Sequence, residues 1–306
     1  MISIIICSIN TALVSQLQKN IADTIGVQYE LIIVDNSVKK HSLAQAYNEG
    51  ASQARYNFLC FVHEDILFHT KNWGHNLISH LSDPGVSLIG ILGTTIKTRT
   101  PSGVYIPIEK LNRVSQLQRA KDGDLKLYYT NPGETIRSEV IILDGMFLAV
   151  TKYNHNKYPF DDKILKGFHG YDIDYSLGQA VNGRIIVVYD ILLEHLSSGG
   201  NTKAWIDSQL LVTKKWRYAL PVHINLTKSE IRASEIVNLE TMLTSLYNNN
   251  YKKAAQFKYL ARLLVMRPFS RKNFYFLRKF FLFGRLESGF KKMHVTLSGR
   301  NNLFII

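Results

Sequence analysis

The sequence predicts an α/β fold: a mostly parallel central sheet with flanking helices, followed by a helical, basic C-terminal extension. Three observations predict it. Apolar strand-like runs at residues 3–8, 29–34 and 58–62 alternate with helical patterns, and strands separated by helices imply βαβ units. These runs are continuous and do not alternate with polar residues, as expected of strands buried on both faces. Charge is the third observation. Of a formal net charge of +13, residues 226–306 hold fifteen Lys and Arg against four Glu, so the first 225 residues are nearly balanced.

The elements follow in order. After the strand at 3–8, Asn10 or Thr11 can cap a helix in which Leu13, Leu17, Ile21 and Ile25 recur at helical spacing, and Gly26 supplies its stop. A second strand at 29–34 ends in Asp35-Asn36-Ser37. A second helix spans 42–54, and a third strand, 58–62, runs into His63-Glu64-Asp65. A short helix over 73–81 precedes an Asp83-Pro84-Gly85 turn and a strand at 86–92. Residues 93–139 mix polar and turn signals, give no clear element pattern, and are expected to include loops around the site. Strands follow at 140–143 and 146–150, interrupted by Asp144-Gly145, then a helix at 171–181 and short strands at 185–188 and 191–193. The small-residue loop 197–202 is expected to be mobile. The remainder reads as mainly helical, beginning with 205–216.

At 306 residues the chain is long enough for one large α/β domain plus an appendage. Cys7 and Cys60 sit inside apolar runs and read as buried free thiols of a reducing compartment; no zinc-type Cys/His spacing accompanies them. The N-terminal apolar run lacks a basic flank and is too short for a signal peptide, so a core strand explains it. No apolar stretch is long enough to predict a membrane span.

Chemistry concentrates where apolar runs end. In open α/β sheets ligands bind beyond the carboxyl ends of the strands, and a carboxylate there can hold a divalent cation against a phosphate. Asn48-Glu49-Gly50-Ala51-Ser52-Gln53-Ala54, leading into the strand that ends at Asp65, resembles the helix-then-strand segment of family 2 glycosyltransferases of the GT-A fold. There an Asn-x-Gly-x-x-x-Ala helix precedes a hydrophobic strand and an Asp-x-Asp metal site. Asp65 falls eleven residues after Ala54, in the register of the second aspartate, while His63 stands in place of the first. The resemblance implies a Rossmann-like, GT-A-like catalytic domain over residues 1–205, with 206–306 as the helical basic region.

It also implies site residues. Ser8, Asp35, Asn48, His63, Glu64 and Asp144 are expected to bind the nucleotide sugar, and Asp65 and His195 to bind the metal, Mn²⁺ or Mg²⁺. A carboxylate such as Asp35 accepts hydrogen bonds from a uracil N–H or ribose hydroxyls, and a neutral imidazole ligates Mn²⁺ beside carboxylate and phosphate oxygens. Gly170-Tyr171-Asp172-Ile173-Asp174 resembles the family's Gly-Glu-Asp-x-Asp segment with Tyr171 replacing the glutamate, which makes Asp172 the expected catalytic base. Each position also has a plain structural reading. Ser8 and Asp144 suit turns, Asp35 suits a cap, and Asp172 and Asp174 suit a helix N-terminus. His195 suits an ordinary polar strand end.

The expected activity is a metal-dependent, inverting transfer from a nucleotide-diphosphate sugar to a saccharide or lipid-linked acceptor. The expected setting is bacterial surface-polysaccharide synthesis, in the cytoplasm or peripherally on the inner membrane face. Residues 273–285 interleave aromatic and basic side chains, as an interfacial helix does. A helix packed on the core with a solvated basic face has the same pattern. Charge without a recognition motif does not point to nucleic acid. Two other functions share a fold of this kind. A nucleotidyltransferase would carry a Gly-rich, basic loop after strand one, which Ser8-Ile9-Asn10-Thr11-Ala12 lacks. A non-catalytic carbohydrate-binding protein would have no need of Asp65, Asp172 and His195.

Overall fold

Strand Phe58–His63 lies near the middle of a seven-stranded sheet, and the site is built at its C-terminal end. The computed structural model describes residues 1–119, 123–197 and 200–286, the last five of these by backbone alone. The first half of the chain forms β1 (Ile2–Ser8), α1 (Thr11–Thr24), β2 (Tyr29–Asp35), α2 (Asn36–Lys39), α3 (Leu43–Gln53), β3 (Phe58–His63), β4 (Ile66–Phe68), α4 (Trp73–Leu81), β5 (Val86–Gly90), β6 (Leu92–Thr94) and β7 (Ile96–Lys97). Then come β8 (Asn112–Arg119), β9 (Leu125–Thr130), β10 (Arg137–Val140), β11 (Ile142–Leu143), β12 (Phe147–Thr151), α5 (Lys152–Lys157), α6 (Tyr171–Gln179), β13 (Arg184–Val188) and β14 (Leu193–His195). The chain continues with α7 (Lys203–Lys215), β15 (Val222–His223), α8 (Lys228–Asn248), α9 (Lys253–Met266) and α10 (Arg271–Leu286).

The main sheet has the order β10-β13-β5-β12-β3-β1-β2. Strands β2, β1, β3, β5 and β13 point one way, and β12 and β10 run against them. Alternate residues of β1 feed opposite faces: Ile5 and Cys7 enter one core cluster, and Ile2, Ile4 and Ile6 the other. This two-sided burial is why the strand reads as an unbroken apolar run. Phe61 is fully buried, which is worth about 1.5–3 kcal/mol. Helix α3 opens with a Ser42–Gln45 capping box and lies close on β1, because a Cβ at Gly50 would stand 2.3 Å from Ile5. Both cysteines are buried and free, and burial, reinforced by the charge of Glu64, pushes the Cys7 thiol up to about 11.

Several elements differ from the sequence reading. Helix α1 buries Val14, Leu17, Ile21 and Thr24, so Val14 replaces Leu13 on the inner face, and Asn10 is the cap. The run at 86–92 is not one strand: the chain leaves the main sheet at Ile91, and β6 joins a second sheet. That sheet, β11-β6-β8-β14-β4 with β9 beside β8, is built largely from the stretch expected to be loops. Its strands are short or half-polar, so neither length nor alternation announces them. The strand expected at 191–193 is Leu193–His195 instead, set two residues on by its pairing with β4 and β8.

Ile206 of α7 packs with Leu239, Met242, Leu243 and Leu246 of α8, with Leu260 and Leu263 of α9, and with Phe276 of α10. The aromatic-basic helix therefore packs on one side while Phe274 and Phe281 stay exposed on the other. Positions 282–285 of that pattern lie outside the described side chains, as Ser198 and Gly199 of the small-residue loop lie outside the described residues. Among the described residues no helix is long and apolar enough to cross a membrane.

Candidate active site

Parallel strands end at a common pole, and β1, β2 and β3 bring their polar ends together there. Register pairs Ser8 with Asp35 and Cys7 with His63. One oxygen of Glu64 accepts from Ser8 Oγ (2.6 Å), Ile9 N (3.1 Å) and Asn10 N (3.0 Å), which fastens the chain as it leaves β1. Exposed Asp35 caps α2. Its carboxylate accepts from Ser37 Oγ (2.6 Å) and N (2.9 Å), and these bonds hold it below the usual carboxylate range. Asn48 is engaged elsewhere: it donates to Phe160 O (2.9 Å) and accepts from Phe160 N (3.1 Å).

His63, Asp65 and His195 converge, with ligating atoms all within 4.8 Å of one another. Strand pairing explains the meeting. His195 lies opposite Ile66 in the β14–β4 ladder, and Leu196 N donates to Asp65 O at 2.9 Å. His195 Nε2 stands 3.4 Å from one Asp65 oxygen, which also accepts from Ser197 Oγ at 2.5 Å. His63 Nδ1 stands 3.9 Å from the other. Ligands of one small cation bonded at about 2.1 Å lie roughly 3–4 Å apart, so the three fit one ion after small adjustment. Burial raises the Asp65 carboxyl, but the bond and charge of His195 and the Ser197 hydroxyl outweigh it and hold it well below the usual range. Burial lowers His63; at His195 burial is outweighed by Asp65, and the imidazole is raised.

His63 Nε2 is 2.8 Å from the Tyr171 hydroxyl. That ring sits over Gly145, where a Cβ would approach the hydroxyl to 2.0 Å. Tyr47 and Phe160 pack beneath it, with centroids 5.8 and 5.9 Å from Tyr171. Asp144 precedes Gly145, against which the Tyr171 hydroxyl lies, and Asp172 follows Tyr171. Leu143 N donates to Ser176 Oγ (3.0 Å), which donates to Asp172 O (2.7 Å), so α6 is tied to the Asp144 turn. Asp144 itself accepts from Met146 N at 3.0 Å. Burial, then the Asp144 charge, push the Asp172 carboxyl up to about 7. Asp174 points away: fully buried, it pairs with Lys215 (2.7 Å) and accepts from Trp216 Nε1 (2.8 Å).

The structure thus brings Ser8, Asp35, His63, Glu64, Asp65, Asp144, Asp172 and His195 to one pole and leaves Asn48 as a brace for the segment at Phe160. Sequence reasoning missed Ser197, which binds Asp65, and Lys97, a fully buried lysine that donates to Ser102 O and Oγ. Ser197 lies in a polar loop and Lys97 in the stretch read as loops. Neither carries a local signal.

Five co-directional strands, with a candidate metal triad at their C-terminal pole and a second sheet beside it, make a GT-A-like fold. Residues 3–237 match the Glycosyltransferase like family, and the chain belongs to that family. No curated protein sequence matches it. Among solved structures it is similar to GalNAc-T7 with UDP, GalNAc and Mn²⁺ (12% identity, TM-score 0.49). That likeness covers 71% of this chain and 48% of that one, so the chain spans about half its length. It is also similar to TarS 1–349 of S. aureus with UDP-GlcNAc (13% identity, TM-score 0.42, 89% of this chain and 74% of that one). A third is the mannosyltransferase PcManGT of Pyrobaculum calidifontis with GDP-Man and Mn²⁺ (14% identity, TM-score 0.49, 94% and 88%).

Proposed function

We propose that this glycosyltransferase moves a sugar, with inversion, from a nucleotide-diphosphate sugar to a saccharide or lipid-linked saccharide acceptor, using Mn²⁺ or Mg²⁺. The observation that carries this is the convergence of His63, Asp65 and His195 beside Tyr171 and Gly145, the neighbours of Asp172 and Asp144. One carboxylate and two imidazoles suit a borderline divalent ion such as Mn²⁺. An ion held there would neutralise the departing diphosphate. Asp172 accepts the proton of the acceptor hydroxyl as that oxygen attacks the anomeric carbon. A carboxyl raised to about 7 is a stronger base than an ordinary one, half ionised near neutral pH and ionised above it. A single displacement with one base opposite the leaving group inverts the anomeric centre.

Ser8 and Asp35 flank the place where the nucleotide would lie, and Glu64 shapes that place by holding the turn after β1. Asp144 is set to bond a hydroxyl of the donor sugar. Asn48 supports the pocket through Phe160, and His63 borders donor and metal. Calorimetric titration of UDP and GDP, each with and without Mn²⁺, tests the reading. Binding that ignores the metal for both nucleotides defeats it.

Residues 1–205 serve as the catalytic unit and 206–306 as a helical region for an anionic membrane surface, in keeping with surface-polysaccharide assembly on lipid-linked acceptors. The support is on the α9–α10 hairpin. Phe269 (98% exposed), Val265 (82%) and Phe274 (72%) stand in water, and residues 241–286 contain no Asp or Glu. Exposed aromatic and basic side chains without acidic ones match an anionic lipid interface.

A further inference from the structure

Strand β14 pairs with β8 from Leu193 to His195, and the last pair joins His195 to Gln118. Beyond it Leu196 N donates to Asp65 O at 2.9 Å, and backbone pairing with β8 no longer fixes the chain. The Gln118 side chain takes over. Its Nε2 donates to His195 O (3.1 Å) and Ser197 O (2.8 Å), and lies 3.3 Å from Arg119 O. All three partners are carbonyl oxygens, which accept and do not donate, so the amide must turn its nitrogen toward them. One side chain thus grips the carbonyls on both sides of Leu196.

The two residues so gripped are the ones that aim at Asp65. His195 Nε2 stands 3.4 Å and Ser197 Oγ 2.5 Å from the same Asp65 oxygen. The imidazole is a member of the metal triad, and the hydroxyl orients its carboxylate. Neighbouring side chains of a strand point to opposite faces, so Arg119 and Glu194 lie across the sheet from Gln118 and His195. There Glu194, 1% exposed, accepts from Arg119 Nε (2.5 Å) and stands 2.9 Å from His69 Nε2. These contacts pin β14 from one face, and Gln118 pins the segment leaving it from the other.

We infer that Gln118 is a positioning residue for the metal site: its amide holds the carbonyls of His195 and Ser197 and so aims the imidazole and the hydroxyl at Asp65. This rests on the reading that His63, Asp65 and His195 hold a divalent ion. A site binds its ion tightly when its ligands are held in place beforehand, and groups that orient ligands are worth about 10–100-fold in affinity.

Calorimetry of UDP or GDP with Mn²⁺ on the full chain tests it, with melting temperature as the check on folding. Gln118→Met keeps the length of the side chain and removes both donors. Mn²⁺-dependent nucleotide affinity should fall about tenfold. In a His195→Ala background the ligand it aims is gone, and the same change should cost no more than about threefold. An unchanged affinity in Gln118→Met overturns the inference. So does a loss equally large with and without His195, which marks a general structural role. Gln118→Thr is the second variant: polar and suited to a strand at this partly exposed position, it is too short to reach the two carbonyls. It should lose affinity as Gln118→Met does, and a folded Gln118→Thr with full affinity overturns the inference even where Gln118→Met does not fold. Wild-type binding that ignores Mn²⁺ defeats the metal reading and this inference with it. A wild type that needs Mn²⁺, beside a Gln118→Met that binds equally well, defeats this inference alone.

Discussion

The imidazole of His63 and the hydroxyl of Tyr171 meet at 2.8 Å, 108 residues apart in sequence. These are the two positions where the chain departs from the acidic motifs it resembles: His63 for an aspartate, Tyr171 for a glutamate. Two carboxylates there would repel, whereas imidazole and phenol form a neutral bond. With Nε2–H donating to the phenol, Nδ1 keeps a lone pair on the side of Asp65, 3.9 Å away.

Tyr171→Phe removes that partner and keeps the ring on Tyr47 and Phe160. Affinity for Mn²⁺-dependent nucleotide should fall about tenfold, the scale for losing a group that orients a ligand. Calorimetry of UDP or GDP with Mn²⁺ checks it, and an unchanged affinity makes the bond ornamental to the metal.

Asp65→Ala should abolish metal-dependent nucleotide binding in a folded protein, because it removes the charged member of the triad. His195→Ala removes a neutral ligand and should weaken binding less. The same titration ranks the two, and a reversed order would reassign the principal ligand.

Asp172→Asn should lower turnover by about 10²-fold or more while leaving donor binding and melting temperature near wild type. Asp174→Asn should do the opposite. It weakens the buried pair with Lys215, which keeps only Asp161 as a carboxylate partner, at a loss of about 1–3 kcal/mol, read as a lower melting temperature.

The acid limb of the rate profile should lie near pH 7, where burial and Asp144 hold Asp172. A raised carboxyl is protonated below that value and inactive as a base, so activity rises with pH through it. Asp144→Asn removes the neighbouring negative charge and lowers the Asp172 carboxyl, so the limb should move to lower pH. A limb moving upward contradicts the proposed coupling.

Phe269, Phe274 and Phe281 are exposed while Phe276 is buried beside Tyr247, so point changes are a cleaner probe than truncation. Replacing the three exposed rings by serine should release the protein from anionic vesicles at low salt without changing its melting temperature. Wild-type binding should weaken as ionic strength rises and the Debye length shrinks to about 8 Å near 0.15 M. Co-sedimentation that does not respond to these changes rules the hairpin out as the lipid contact.

Local pattern was enough for much of the frame. The helix Trp73–Leu81 ends where its apolar spacing ends; β1 and β3 are visible because burial on both faces makes them almost wholly apolar, and the edge strand β2 because its apolar run from Leu31 to Val34 is unbroken although Ile33 is exposed. Every polar group at the ends of those strands was visible too, since a carboxylate after an apolar run stands out in one dimension. The second sheet was not legible. Its short strands are specified by pairing with distant partners, as His195 pairs with Ile66, and the reversed direction of β12 has no local mark. Side-chain encounters escaped for the same reason. His63 with Tyr171 and Asp65 with His195 each depend on sheet register and helix placement. By itself, then, the sequence determined which segments are strands and which groups sit at their ends, because burial and periodicity act over a few residues. Only the tertiary structure decided which of those groups meet, because that depends on how distant segments pair.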